Sequence, residues 1–217
     1  ANYDAIQDYA AGKTISELET AVTGKDATAV VDAVSGATLV DTQKYLLGIV
    51  EAAKAAKNNT EVLYSGDVSK LVLHQVDGAA HGKKCFAVTT VLTDGEKVVL
   101  TWIDEYQFMS KTEDGVVGVP NSDAGFGENF PEGQVLASKR ESNKYYSAHM
   151  KEAAGATLEL VASYNAIQDY CNGKTAAELK DLAAKDAAAV VDAVSGATLV
   201  DTAGYIKTVI EAISSTK

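Results

Sequence analysis

The residues of this sequence that are best suited to carry a ligand form a small polar loop, Ser-Gly-Ala-Thr, at 35–38 and again at 195–198. An aspartate lies three residues before each serine, at Asp32 and Asp192. Glycine permits unusual backbone dihedral angles, so a ligand can approach the backbone closely. Each threonine precedes an apolar helical pattern, and a helix start attracts anions through its unsatisfied amides and its dipole. The loop therefore favours a phosphate group held at, or bonded to, the threonine hydroxyl.

Both loops belong to a duplicated segment. Residues 29–42 recur letter for letter at 189–202, and the similarity extends back to residues 2–14, which match 163–175. The outer match is shifted by one residue relative to the identical core, so one residue has been lost in the second copy, as a surface loop between helices tolerates. A simple capping turn is the alternative interpretation of the loop. An unchanged core between diverged flanks favours a functional role.

The hydrophobic spacing of each copy predicts short helices. In the first copy they cover residues 3–11, 27–34 and about 38–57. The loop threonine would then start the longest helix. Thr14 and Glu17 have capping-box spacing, as do Thr175 and Glu178 in the second copy.

Between the two copies the pattern becomes that of strands. The predicted strands cover residues 68–76, 85–92 and 97–103, with 61–64 as a further candidate. Asp94-Gly95 between two β-branched runs is a hairpin signal. Residues 143–154 are helical again, whereas 110–133 show no periodicity.

This order of elements predicts an α+β fold, with an antiparallel sheet flanked by helices and preceded by a helical partial repeat. Residues 1–58 would form the helical C-terminal part of a first repeat, and 59–217 a complete second domain. We expect a sheet upstream of the first copy in the natural protein.

Composition limits the function classes. The formal net charge of −11 argues against binding nucleic acid or anionic lipid. Cys85 and Cys171 are expected to be two free thiols, although a single bridge stays open. The three histidines lack the spacing of metal ligands, so we expect no metal site.

The motif Asp-x-x-Ser-Gly-Ala-Thr resembles the flavinylation motif of FMN-binding domains. In that family FMN is joined through its phosphate to the last threonine by a FAD:protein FMN transferase, with FAD as the donor. The resemblance implies up to two covalent FMN groups, at Thr38 and Thr198. It also implies recognition roles for the other motif residues, which are Asp32, Ser35, Gly36, Ala37, Asp192, Ser195, Gly196 and Ala197.

The order of the helices and motifs is similar to that of flavinylated surface lipoproteins of Gram-positive bacteria. The resemblance implies an extracellular protein, anchored at the cell surface through a removed N-terminal segment. It would relay electrons from a membrane quinone-linked donor to an external acceptor such as ferric iron, as a carrier more than an enzyme with its own substrate. A non-redox structural or binding module, and a flavin-dependent reductase of a small substrate, stay open as alternatives.

A flavin ring needs an apolar or aromatic wall. The candidates for this wall at the second site are Trp102, Tyr106, Phe126, Phe130, Tyr145 and Tyr146. We expect Trp102 and Tyr106 in the core, and we favour Phe126 and Phe130 for contact with the cofactor because they lie in a Gly-rich stretch.

Lys139, Arg140 and Glu141 precede a helix. Contact with the phosphate or the isoalloxazine ring stays open as an alternative, and a solvated helix start is the simpler interpretation.

Overall fold

The computed structural model describes residues 1–56 and 62–214, which form nine α-helices and one four-stranded antiparallel sheet. The α+β class expected from the sequence is confirmed. Contacts divide the chain into two compact units, Ala1–Glu61 and Val62–Lys217. No helix in the described parts is long and apolar enough to cross a bilayer.

The described part of unit 1 contains four helices joined by turns and loops, and no strand. Its helices are α1 (Asn2–Ala10), α2 (Ile15–Val22), α3 (Ala27–Ala33) and α4 (Thr42–Ala56). They enclose a small apolar core that includes Ile6, Leu18, Val30, Leu46 and Val50. The predicted capping box at α2 is confirmed, because the Thr14 hydroxyl accepts from the Glu17 amide and the Glu17 carboxylate accepts from the Thr14 amide.

Unit 2 contains the sheet. Its strands are β1 (Val72–Gly78), β2 (Cys85–Thr93), β3 (Val98–Ser110) and β4 (Gln134–Ser138), in the order β1-β2-β3-β4 with every pair antiparallel. The predicted hairpin is confirmed, and the Asp94 carboxylate closes it by accepting from the amides of Glu96 and Lys97.

Three strand predictions need correction, and one strand was missed. β3 continues to Ser110, well beyond its predicted end at residue 103. β1 begins later than expected because Val68–Lys70 forms a 3-10 turn that is capped by Asp67. β4 was not predicted, since its five residues are too few to show a period. Residue 61 lies outside the described residues, and 62–64 form no strand.

Within its described residues, unit 2 contains five helices besides the sheet. They are α5 (Asn143–Ala154), α6 (Leu160–Cys171), α7 (Ala176–Ala183), α8 (Ala187–Ala193) and α9 (Thr202–Ser214). Helix α9 packs on β1 and β2, and α6 packs against β3. The connection from α7 to α8, residues 184–186, is one residue shorter than its counterpart 23–26, so the predicted loop deletion is confirmed.

Candidate functional site

The Ser-Gly-Ala-Thr loop has the same conformation in both copies. The amide of Ala37 donates to the carbonyl of Val34 at 3.0 Å, and Ala197 repeats this bond to Val194 at 3.0 Å. The intervening glycines have φ angles of 89° and 88°, which favour glycine at this position. The identical local sequence therefore forms the same turn in both units.

The prediction that Thr38 and Thr198 start the following helix is wrong. Helices α4 and α9 begin four residues later, at Thr42 and Thr202. The Thr42 amide and hydroxyl both donate to the carbonyl of Leu39, at 3.0 and 2.6 Å, which closes a separate turn before the helix. Leu39 fits the helical spacing of apolar residues because its side chain packs against the core, although its backbone lies in this turn. The helix-start argument for an anion site therefore does not apply to these threonines.

Burial divides the motif residues into two groups. Ala37 and Ala197 are only 7% and 6% exposed and anchor the loops. The other motif residues are exposed, and these are Asp32, Ser35, Gly36, Thr38, Asp192, Ser195, Gly196 and Thr198. The serine, glycine and threonine of each set thus face outward on one loop, and the aspartate is exposed near the end of the preceding helix.

Thr198 lies beside a partly open cavity of about 220 Å³. The cavity is lined mainly by apolar side chains from α5, α6 and α9 and the segments that precede them: Tyr146, Met150, Ala154, Ala156, Leu160, Leu199, Val200 and Tyr205. His81 and Asp201 complete the lining, with the His81 Nδ1 atom 2.6 Å from an Asp201 carboxylate oxygen. Thr198 also lines a more open depression along α8, of about 410 Å³. A ligand bonded to this threonine would have apolar walls on two sides.

A buried cluster of charged groups contacts Tyr146 and Tyr205, two of the residues that line the cavity. The Tyr205 hydroxyl donates to Glu105 Oε2 at 3.0 Å, and the Tyr164 hydroxyl does so at 3.4 Å. Lys139 forms an ion pair with the same carboxylate, and its ammonium lies 4.5 Å from the centroid of the Tyr146 ring. Glu105 and Lys139 are 0% and 1% exposed, so the expectation of a solvated Lys139 is wrong.

The cluster shifts the acid–base properties of its members. Burial raises the pKa of Tyr205 and Tyr164 far above the usual range, and the negative charge of Glu105 adds to the effect on both. Burial alone would lower the pKa of Lys139, but the charge of Glu105 and the hydrogen bond to it more than offset this, so the pKa is raised. Glu105 Oε1 is buried and has no hydrogen-bond partner within the described residues.

The first-copy threonine is held differently. Asn2 Oδ1 accepts from the Thr38 amide at 2.6 Å and from its hydroxyl at 3.1 Å. In the second copy Ser163 replaces Asn2, and its hydroxyl oxygen lies 3.5 Å from that of Thr198. The Thr38 side chain is therefore oriented by a side-chain amide, whereas that of Thr198 has only a long contact with a hydroxyl.

The structure does not bring the predicted phenylalanines to the motif. Phe126, which is 57% exposed, and Phe130 pack against each other with ring centroids 5.0 Å apart, and Phe130 packs on Phe108 at 4.8 Å. Neither is among the residues that line the cavities beside Thr198. The Gly-rich stretch suggested a ligand loop but instead supports this separate aromatic group.

Sequence reasoning missed Glu105 at the site. It lies beyond the predicted end of strand β3 at residue 103. Because β3 continues to Ser110, Glu105 shares the alternation of the buried Ile103 and lies on the core side of the sheet. An acidic residue on the inward face of a strand was the available signal, because a buried charge requires a partner.

Both cysteines are free, as expected, and burial raises the pKa of the Cys85 thiol to about 11 and that of Cys171 to about 12. The described residues contain no group of three side chains that could hold a metal ion. No protein-family model, no curated protein and no solved structure matches the chain.

Proposed function

We propose that this protein carries FMN covalently attached through phosphoester bonds to Thr38 and Thr198. The flavins relay electrons from a membrane quinone-linked donor to external acceptors such as ferric iron, at the cell surface. The observation that carries the proposal is the repeated loop: both copies bury the alanine and expose the threonine in the same turn.

Exposure of the threonines fits modification by a second protein, a FAD:protein FMN transferase. In that step the threonine oxygen bonds to the FMN phosphorus of FAD and the pyrophosphate bond breaks. AMP leaves, and the hydroxyl proton passes to a base. Asp32 and Asp192 are exposed at the ends of the preceding helices, so both motifs are open to the transferase.

The electrostatics of the second site favour a covalent link. Of the described residues that line the two cavities beside Thr198, only His81 can carry a positive charge, and it is paired with Asp201. Asp192 adds a further negative charge nearby. A phosphate would gain little from ionic contacts in such surroundings, so a bond to the threonine oxygen is the more effective way to retain it.

The cavity size fits a cofactor that stays partly accessible. Its volume of about 220 Å³ lies below the roughly 300 Å³ at which pockets begin to enclose a small ligand. The apolar wall can cover one part of a flavin ring while another part faces solvent. The flavin supplies the electron-transfer chemistry, and the protein fixes its position and excludes water from the covered side.

Intact mass tests the proposal directly. The chain is co-expressed with the transferase in the presence of FAD, denatured and desalted, and we expect two FMN additions and flavin absorbance. Thr38→Ala and Thr198→Ala should each remove one addition. Thr28→Ala is the matched control, because Thr28 is exposed near the first motif and its counterpart is already Ala188.

An unchanged mass under these conditions would overturn the proposal and favour a structural or binding module. Saturable turnover of one defined small substrate by the modified protein would favour the reductase alternative.

A further inference from the structure

One surface of unit 1 is exposed although its counterpart in unit 2 is buried. We call it the tyrosine face, and it consists of residues of α1 and α4: Tyr3, Gln7, Tyr45, Gly48 and Ala52. The aligned residues in unit 2 are all buried, and these are Tyr164, Gln168, Tyr205, Thr208 and Ala212. The difference is largest for the tyrosines, which are 59% and 41% exposed in unit 1 but 0% and 3% in unit 2.

The tyrosine face already has the geometry of its buried counterpart. The rings of Tyr3 and Tyr45 meet edge to face with centroids 5.3 Å apart, and their hydroxyl oxygens lie 3.4 Å apart. In unit 2 the corresponding values for Tyr164 and Tyr205 are 5.2 Å and 3.5 Å. The face is therefore formed without the cover that its twin has.

Unit 2 shows what covers such a face. Glu105 of β3 accepts from both tyrosine hydroxyls, at 3.0 and 3.4 Å. Gln168 Oε1 accepts from the amide of Ile103 at 2.9 Å, and the Thr208 and Thr89 hydroxyl oxygens lie 2.7 Å apart. All of these contacts join the helices to one antiparallel sheet.

We propose that the tyrosine face is a docking surface for an antiparallel β-sheet that presents a carboxylate to the hydroxyls of Tyr3 and Tyr45. The sheet formed by residues 72–138 of this chain, or of a second copy, is not the partner. At two positions of α4 the size of the side chain does not match the space that this sheet provides.

The first position is Lys44. Its counterpart Gly204 lies so close to the sheet that an added β-carbon would be 1.9 Å from the carbonyl oxygen of Ala80. Real contacts of this kind do not occur, so the backbone at Ala80 would have to move before any side chain could stand there. A partner of the tyrosine face must therefore leave room where Ala80 lies in unit 2.

The second position is Gly48. Its counterpart Thr208 fills the space above Gly78, where an added β-carbon would lie 2.6 Å from the Thr208 methyl group. Glycine on α4 leaves that space open, so the partner sheet has room for a side chain where unit 2 has Gly78. The partner sheet therefore differs from the sheet of this chain at both positions. It leaves space opposite Lys44 and has room for a side chain opposite Gly48.

A chain with an added sheet tests both parts of the proposal. Residues 62–162 are repeated ahead of the full chain and joined to Asn2, the counterpart of Ser163. One version keeps the native unit 1, and the other carries Lys44→Gly and Gly48→Thr, which restore the unit 2 pattern. Each version is compared with the same chain without the added segment, by hydrogen exchange of α1 and α4 peptides.

We expect exchange in α1 and α4 to slow by about tenfold or more in the substituted version and to stay unchanged in the native one. Glu105→Gln in the added segment should remove part of the protection, because it replaces the carboxylate opposite the tyrosines. No slowing in the substituted version would overturn the sheet-docking role. Equal slowing in both versions would overturn the exclusion of the chain's own sheet.

A reciprocal variant checks the exclusion independently. Gly204→Lys in the unextended chain should speed exchange in α6 and α9, whereas unchanged exchange there would overturn the role assigned to Lys44. All measurements use unmodified protein, so their outcome is independent of flavin attachment.

Discussion

The two copies of the duplicated segment share one loop and differ in what covers it. In unit 2 the tyrosine pair contacts a buried carboxylate and a cavity forms beside Thr198, whereas in unit 1 the equivalent tyrosines are exposed. The loop itself is unchanged, with the same turn and the same burial pattern from residue 30 to 40 as from 190 to 200. The local sequence is thus sufficient to form the loop, whereas the sheet of unit 2 determines what lies around it.

The surroundings in unit 2 depend on a charged group in the core. Burying a carboxylate and an ammonium is costly unless each charge is paired and hydrogen-bonded. Glu105 meets this condition through Lys139, Tyr205 and Tyr164, all on one of its oxygens. Substitutions in this cluster should therefore give the largest difference between the two units in their loss of stability.

The largest effect is expected from Glu105→Gln. Loss of the carboxylate leaves the buried Lys139 charge without a negative counter-charge, and the free energy of unfolding of unit 2 should fall by about 3–5 kcal/mol. Hydrogen exchange in urea, followed on peptides of each unit, gives the two stabilities separately. Glu141→Gln, at an exposed site, is the control and should have little effect. An equal loss in unit 1 would contradict the comparison.

The same substitution in the two tyrosine pairs should have unequal results. Tyr205→Phe removes a hydroxyl that donates to a buried carboxylate and should destabilise unit 2 by about 1.5–3 kcal/mol. Tyr45→Phe, at an exposed site, should leave unit 1 unchanged within error. Urea denaturation of both variants measures the difference, and similar losses would show that the tyrosines act only within their own pair.

The close approach of α9 to the sheet gives a third test. Gly204→Ala places a β-carbon against the Ala80 carbonyl, and overpacking of this kind typically costs about 1–3 kcal/mol. Lys44→Ala at the aligned position of α4 should cause no measurable loss. A shift of the thermal midpoint for Gly204→Ala alone is the expected result, and a tolerated alanine would mean that the Ala80 segment moves easily.

The smallest effect should be equal in the two units. Thr14→Ala and Thr175→Ala each remove a helix cap and should cost about 1 kcal/mol.

In both caps hydrogen bonds from the threonine lower the pKa of the glutamate below its usual value. A lowered folded pKa adds stability above the unfolded pKa, and this part is lost as the pH falls through the folded pKa. The glutamate's contribution should therefore vanish in acid in both units, and a pH series of Glu17→Gln and Glu178→Gln checks it.

The predictions that succeeded concern neighbouring residues. The helices, the capping boxes at Thr14 and Thr175 and the hairpin at Asp94-Gly95 all follow from contacts within a few positions of the chain. The helix start at Thr38 failed for a related reason. Apolar spacing continues through Leu39 even though the backbone makes a separate turn there, and spacing alone cannot detect a turn that keeps its side chain in the core.

The sequence by itself determined the duplication, the shape of each Ser-Gly-Ala-Thr loop and the helices around it, because these depend on local backbone preferences. Only the tertiary structure decided which tyrosine pair is buried, where the cavity beside Thr198 lies and that Lys139 belongs to the core. The bond between Tyr205 and Glu105 joins residues 100 positions apart, so no local pattern could reveal it. The two candidate attachment points are therefore alike in sequence and unlike in environment.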